Sequence, residues 1–535
     1  MTFIDARSLD GNGIISADLC VVGSGAAGLA IAKELIGQRI RVVVLESGDL
    51  NYSSRTQALY DGENVGRESI STTRSRFRVF GGSTTRWGGQ CRPLDAVDFE
   101  AREGIPHSGW PFARDRLEPY YRRAHAFCNL GPYDYAPSSS SNRDGRMLPI
   151  DSGELESKIF QFSFPANLGN VYRDEIASTS EIVVYLNTNV VEIDVDEYGK
   201  SVTGMRAATF NGKNLHISAD CYVLACGGIE NARLLLASDK SMKGGIGNQH
   251  DLVGRFFMDH AYFLSGHFEP AEACFDETPY VIEDYARVGS EQKWNAAFAL
   301  KADILREERL NSGALYFVRR PNYKTRAEYF SPGGKSFIRL VDVLRQTETP
   351  DRRLVNHIGN SIVGIKDVGT SLARRLKEFI QPQLRLALRS VIETTPHPDS
   401  RVTLGSRCDR FGMPRVRVNW LLNDDDKRGF ERLMATLGKE FLRLGFGRLV
   451  EDRSVDANGW PNSLTAGKHH MGTTRMHSNP RNGVVDADCR VHGILNLYIA
   501  GSSVFPTGGY ANPTLTIVAL AIRLADHLKE RLRGS

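Results

Sequence analysis

The chain has no C-x-x-C pair, although it holds eight cysteines, and this excludes a zinc ribbon and a redox dithiol. Several of the cysteines lie in apolar, strand-like runs, where Cys behaves as a small hydrophobe. That usage fits a reducing compartment. Long blocks of like charge are absent too. The formal net charge is only +4 over 535 residues, so no nucleic-acid partner is implied. No apolar run reaches bilayer-spanning length without charges. The opening residues "MTFIDARSLDGNG" carry no basic n-region, no apolar h-region and no twin arginine. The expectation is a cytoplasmic protein, with export alongside a partner left open. What the chain does have is length. It exceeds one ordinary core and predicts two domains or one large composite one. Apolar and charged fractions of 41% and 24% are those of a soluble globular protein.

The stretch "ADLCVVGSGAAGLAIAKELIGQRIRVVVLESG" reads as strand, tight turn, helix, strand. Leu19 to Val22 form an apolar run of buried-strand type. Gly23, Gly25 and Gly28 then give G-x-G-x-x-G, with Leu29, Ala32 and Leu35 on one face of the helix that follows. One glycine turns the chain, the next lets the backbone approach a pyrophosphate, and the third lets helix and strand pack closely. The helix N-terminus faces the phosphates. Glu46 ends the second strand, placed to accept hydrogen bonds from a ribose.

Two further segments favour FAD over NAD. "NTNVVEIDVDEYGKSVTGMRAATFNGKNLHISADCYVLACGG" predicts a β-meander with turns at "EYGK" and "NGKN". "NLYIAGSSVFPTGGYANPTLTIVALAIRLADHL" predicts a strand, a small-residue turn and a long helix near the far end. A long flavin dinucleotide needs such a return of the chain, and an NAD domain does not. In the middle, Val416, Val418 and Trp420 alternate as in a half-buried strand. Phe430, Leu433, Leu437, Phe441 and Leu444 then fall at helical spacing after an Asn/Asp start. "KDVGTSLARRLKEFI" places Val368, Leu372, Leu376 and Phe379 on one stripe, with Arg374, Arg375 and Lys377 elsewhere, and predicts a basic helix for packing or for docking on a partner or a membrane surface.

With these pieces in family order, the sequence resembles the glucose-methanol-choline (GMC) oxidoreductases. The likeness rests on the N-terminal motif, "RVFGGSTTRWGG", "VLACGGIENARLLLAS" and "HHMGTTRM … GVVDADCRVHGILNLYIAGSSVFPTGGYANPT". Within the family the C-terminal part looks most like bacterial sugar and polyol dehydrogenases and pyranose and C-glycoside oxidases. About Pro270 to Glu393 carries no such likeness. The family implies an α/β plus α+β fold. In it a Rossmann-like FAD-binding domain (residues 1–90, 181–259 and 459–535) is interleaved with an antiparallel-sheet substrate domain (91–180 and 260–458), with a helical insert about 335–390. It also implies cofactor contacts from Gly81, Gly82, Ser83, Trp87, Val191, Gly501, Ser502, Asn512, Pro513 and Thr514. Backbone N–H groups of Gly81, Gly82 and Ser83 would serve flavin and phosphates.

The family pattern H-x-x-G-T-x-x-M selects His469 as the residue over the flavin, with Asn512 in "GYANPT" as its partner. Alcohol oxidation needs a base for the hydroxyl proton, and neutral imidazole suits it. An amide orients the hydroxyl without competing for the proton. Asn512 also reads as an N-cap with Pro513 as first helical residue, so that the helix dipole would face the flavin. His260, His470 and Tyr510 are expected to border the substrate, with His470 and His477 alternatively packing residues. Arg86 stands before Trp87, where some relatives carry a flavin-linked His, and predicts non-covalent FAD. No metal is expected. His469 and His470 are adjacent, which in a strand points them apart, and only the distant Asp486 and Asp488 supply carboxylates. The implied activity is oxidation of a sugar, glycoside or polyol hydroxyl, with oxygen, a quinone or a redox partner protein as electron acceptor. The alternatives are a lyase of the hydroxynitrile type and a catalytic subunit of a multi-subunit sugar dehydrogenase.

Overall fold

The computed structural model describes residues 2–11, 13–67, 71–137, 147–148, 150, 153–271, 278–282, 294–321 and 384–533. Its first sheet grows from the apolar run around Leu19. Strand Ile14–Val22 pairs in parallel with Val42–Leu45 on one side and Asn214–Leu224 on the other. Leu19, Cys20 and Val21 have no exposed surface, as a strand covered on both faces requires. Ile182–Leu186 and Phe3–Asp5 extend the parallel part. Asn189–Val195, Val202–Ala208 and Asn214–Leu224 form the antiparallel meander predicted from the "EYGK" and "NGKN" turns.

The far end of the chain returns to this sheet. Leu497–Ile499 pairs in parallel with Tyr222–Leu224. Helix Thr514–Arg533 then packs against helix Ala26–Glu34, which follows the first strand. Leu515, Val518, Ala519 and Ile522 are buried there, so residues at both ends of the sequence share one core.

The second sheet is antiparallel, in the order Gly447–Glu451, Ala261–Pro270, Leu384–Ile392, Gly313–Pro321, Trp294–Leu300, Leu155–Phe162, Gln90–Cys91. Helix Asp425–Arg443 backs it, with Leu433, Leu437 and Phe441 buried. Phe441 meets Phe268 and Phe298 edge-on at 5.4 and 5.6 Å between ring centroids. Leu444 and Phe430, on the same predicted stripe, are only partly buried. A small third sheet pairs Arg401–Cys408 with Pro414–Asn419 and Glu63–Asn64. Val416, Val418 and Trp420 are buried, as their alternation predicts.

Two differences from the sequence reading matter. Residues 384–390, expected in a helical insert, are strand: all pair with Gly313–Pro321, and from Ala387 on they pair with Ala261–Pro270 as well. Segment 91–180, expected with the substrate domain, serves both parts. Leu155–Phe162 joins the second sheet, whereas helices Glu118–Phe127 and Leu168–Ala177 pack on Thr514–Arg533 and Ala26–Glu34. The basic stretch at Arg374 lies outside the described residues. Among the described residues no helix is long and apolar enough to cross a membrane, no disulfide is present, and no group of three His, Cys, Asp or Glu side chains could hold a metal ion.

Candidate active site

A cavity of about 600 Å³ lies where the first strand, the meander and the far C-terminal segment meet. Small-molecule sites span roughly 300–1,000 Å³. Its phosphate end follows from the glycines. Gly23 has φ +103 and abuts the Ala225 carbonyl. That left-handed turn with no room for a Cβ requires glycine. Gly25 caps helix Ala26–Glu34, and a side chain there would meet no protein atom within 4 Å. Gly28 does not line the cavity. It packs on the Gly23 carbonyl and sets the helix close to the strand. Glu46 lines the cavity and is 4% exposed. Its Oε2 accepts from the Ser24 N–H (3.1 Å) and hydroxyl (2.5 Å), and its Oε1 from the Gly48 N–H (2.7 Å).

The loop at "GGSTTRWGG" also forms wall: Gly82, Ser83, Thr84, Arg86, Trp87 and Gly88 line the cavity. The Gly81 and Gly82 N–H groups are already donated, to the carbonyls of Ser24 (3.1 Å) and Val79 (2.7 Å), so they are not available to a cofactor. Trp87 is fixed by its indole N–H on the Ala166 carbonyl, 2.6 Å. Val191 was expected in the wall. The wall residues are instead Thr188, Asn189 and Val190, and Val191 sits at the pairing irregularity between Val190 and Glu192.

At the other end His469, His470, Gly501, Ser502, Asn512, Pro513 and Thr514 line the same cavity. The Pro513 carbonyl accepts the first helical hydrogen bond, from Ile517 N–H at 2.8 Å, and the helix starts at Thr514. Asn512 therefore precedes the capping position by one residue, which frees its amide from the helix. The N-terminus of the helix still opens on the cavity.

His469 is held from behind. Its backbone N–H and that of Lys468 donate to the Asp259 carboxylate, at 2.8 and 3.1 Å. Its Nδ1 lies 2.9 Å from Nδ1 of His260. Burial, then the neighbouring His260 and His470, drive its pKa well below the ordinary value, so the ring is neutral. His470 is pushed down to about 3 by burial and by Arg76. Its Nε2 has no hydrogen-bond partner among the described residues and stands 3.9 Å from Asp259. His260 and Tyr510 do not line the cavity. Tyr510 is buried and its hydroxyl donates to Asp95, 2.9 Å. His477 faces outward and accepts from the Asn479 N–H, 2.8 Å.

Sequence reasoning missed a cationic wall. Arg76 and Arg78 both reach Glu230, at 2.7 Å each, and lie over the Tyr60 ring at 4.0 and 4.3 Å. Arg233 bonds Glu230 and Asp409. Burial alone would raise the Glu230 pKa, but the three guanidiniums hold it at about 2. Arg76, Arg78, Arg233 and Glu230 all line the cavity, and Arg76 Nη2 and Arg78 Nε are buried donors with no partner among the described residues. The signal was the period-two run Arg74, Arg76, Arg78.

These features fit an elongated, anionic dinucleotide. Open space stands over Gly25, spare guanidinium donors of Arg76 and Arg78 and the first residues of helix Ala26–Glu34 line one cavity, and the Glu46 carboxylate lies in the same wall.

Residues 18–243 match the family model for FAD-dependent oxidoreductases, and residues 396–521 match that for GMC oxidoreductases. The chain is 24% identical over 574 residues to the 6'''-hydroxyparomomycin C oxidase of Streptomyces lividus, covering 96% of this chain and 92% of that one. It is 35% identical over 128 residues to the C-glycoside 3-oxidase of Microbacterium trichothecenolyticum, 24% of each chain. In fold it is similar to a formate oxidase, with a TM-score of 0.58 at 17% identity, covering 98% of this chain and 100% of that one. Two family matches at opposite ends of the sequence, joined by relatives of full length, agree with one cavity built from both ends: the chain belongs to the GMC oxidoreductase family of FAD-dependent enzymes acting on CH–OH donors.

Proposed function

We propose that this protein oxidises a hydroxyl of a sugar, glycoside or polyol to the carbonyl, with His469 as general base and Asn512 orienting the hydroxyl. The observation that carries the reading is that His469 and Asn512, both near the far end of the sequence, line the cavity that also contains Gly23, Gly25 and Glu46 from its start. The substrate class is supported by the sugar-modifying names of the relatives.

Gly23 to Ala27, Glu46, Ser83, Trp87, Arg76, Arg78, Gly501 and Ser502 would hold FAD. When bound, FAD supplies the acceptor for the hydride leaving the carbinol carbon. His469, neutral through burial, takes the hydroxyl proton at Nε2, the ring nitrogen without a hydrogen bond to a described residue. Asn512 offers an amide free of capping duty, which holds the hydroxyl oxygen and stays bound as negative charge develops there. The Thr514–Arg533 helix directs its N-terminal dipole at the same space. Attachment of FAD is read as non-covalent, because Arg86 cannot form the flavin link. The FAD-binding part comprises 1–90, 181–259 and 459–535, joined by the two helices of 91–180 described above. The remainder forms the substrate part.

The test is anaerobic bleaching of the flavin absorbance by a panel of sugars, glycosides and polyols, followed by reoxidation with oxygen or a quinone. Bleaching is expected. Product without bleaching would make the protein a lyase. His469→Ala should slow bleaching ~100- to 10,000-fold with FAD retained. Unchanged bleaching there and its loss in His470→Ala would move the base to His470.

A further inference from the structure

His260 immediately precedes strand Ala261–Pro270, which carries Tyr262, and the rings of both residues meet His469. The Nδ1 atoms of His260 and His469 are 2.9 Å apart, with ring centroids at 5.0 Å and planes at 82°. The Tyr262 ring packs edge-on against both imidazoles, 6.5 Å from His260 and 6.1 Å from His469. His260 has no exposed surface. Its Nε2, without an aligned hydrogen-bond partner, lies against the backbone of Gly508 and Gly509.

Two nitrogens at that distance must share one proton when both rings are neutral. Only two arrangements exist. In one, His469 donates its Nδ1–H to His260, its Nε2 keeps a lone pair, and His260 carries its own proton on Nε2. In the other, His260 donates, and His469 carries a proton on Nε2. A ring in that second state cannot accept a proton at Nε2. The surroundings select between them. Burial lowers the His260 pKa to about 4 and keeps the ring neutral, while the Gly508–Gly509 backbone and the Glu393 carboxylate act the other way. Nε2 is the ring nitrogen beside that backbone, so the single proton of His260 is held there and Nδ1 is left to accept.

We infer that His260 is a positioning residue that fixes His469 in the Nδ1–H tautomer, so that Nε2 is the proton-accepting atom. It rests on the base assignment above. The proton balance is simple. The substrate hydroxyl proton forms a bond to His469 Nε2 as the O–H bond breaks. The Nδ1–H stays in place, now donated by an imidazolium to the His260 Nδ1 lone pair. That hydrogen bond strengthens as charge appears, which is when help lowers a barrier.

The experiment uses the FAD-loaded protein labelled with 15N-histidine, and the FAD-free protein beside it. The His469 signals are assigned by their loss in His469→Ala. The expected spectrum shows a protonated Nδ1 and a bare Nε2 on His469, with or without FAD. His260→Leu should remove that preference and slow flavin reduction at least about tenfold without releasing FAD. His260→Asn, whose carboxamide oxygen can accept at the Nδ1 position, should restore the tautomer and most of the rate. A wild-type His469 carrying its proton on Nε2 overturns the inference. So does a His260→Leu protein with unchanged tautomer and rate. If the tautomer is as stated but His469→Ala reduces flavin normally, the base assignment fails and the positioning geometry stands.

Discussion

One carboxylate, Asp259, accepts the backbone N–H groups of both Lys468 and His469, and it does so with no exposed surface. Asp259 ends the loop that leads into strand Ala261–Pro270 of the second sheet. The proposed base is thus pinned by its backbone to the segment that enters the sheet, whose next residue His260 and, within the strand, Tyr262 meet its ring. Burial pushes the Asp259 pKa up to about 7, against the N–H groups that favour its charge.

Asp259→Ala should leave two partly buried N–H groups unpaired, together costing about 1–3 kcal/mol. The expected result is a lower melting temperature and flavin reduction slowed at least about tenfold, with FAD still bound. Melting curves and stopped-flow reduction check this. Full activity in the variant would show that His469 is placed by its other contacts.

Gly25 and Gly28 belong to one motif but should fail differently. An added Cβ at Gly25 meets no protein atom within 4 Å, and its φ of −71 suits any residue. Gly25→Ala should fold with unchanged stability in the FAD-free form and bind FAD at least about tenfold more weakly. At Gly28 the Cβ would collide with the Gly23 carbonyl. Gly28→Ala should lose about 1–3 kcal/mol of stability even without FAD. Urea melts and FAD fluorescence titrations separate the two.

Arg86 lines the cavity with its guanidinium 5.4 Å from the Tyr52 and Phe77 rings. It offers no nucleophile to the flavin. Acid precipitation should leave the yellow colour in the supernatant, and colour in the pellet would mean a covalent bond elsewhere.

His125 sits between the Tyr133 and Tyr135 rings, at 5.3 and 5.7 Å, and is 3% exposed. Burial lowers its pKa to about 4. The folded protein keeps it neutral, whereas the unfolded chain takes up a proton below about pH 6.5. Stability from this group is therefore lost as pH falls from about 6.5 towards 4. Between pH 7 and 5 the wild type should lose about 2 kcal/mol more than His125→Phe. Urea midpoints of both proteins at the two pH values give the difference, and equal losses would contradict it.

Much of this was legible in the sequence because it is local. The G-x-G-x-x-G turn, the meander and the Val416/Val418/Trp420 alternation each follow from residues close in sequence, and each appears where expected. The Val191 position was missed by one, because an irregular strand pairing shifts which side faces the cavity. The helical reading of residues 384–390 failed because their pairing partners, near 265 and 315, are remote. The Gly81 and Gly82 N–H groups looked free, but Ser24 and Val79 accept them.

By itself the sequence determined the local elements and the residue types the chemistry needs: a glycine turn before a helix, an acid after the next strand, an imidazole and an amide near the end. Only the tertiary structure decided which of them meet. Backbone propensity and periodicity act over a few residues, whereas the His260–His469 contact, the Asp259 anchor and the arginines around Glu230 join segments 150 to 210 positions apart. Such contacts depend on how whole sheets pack, and burial then sets the protonation of each group.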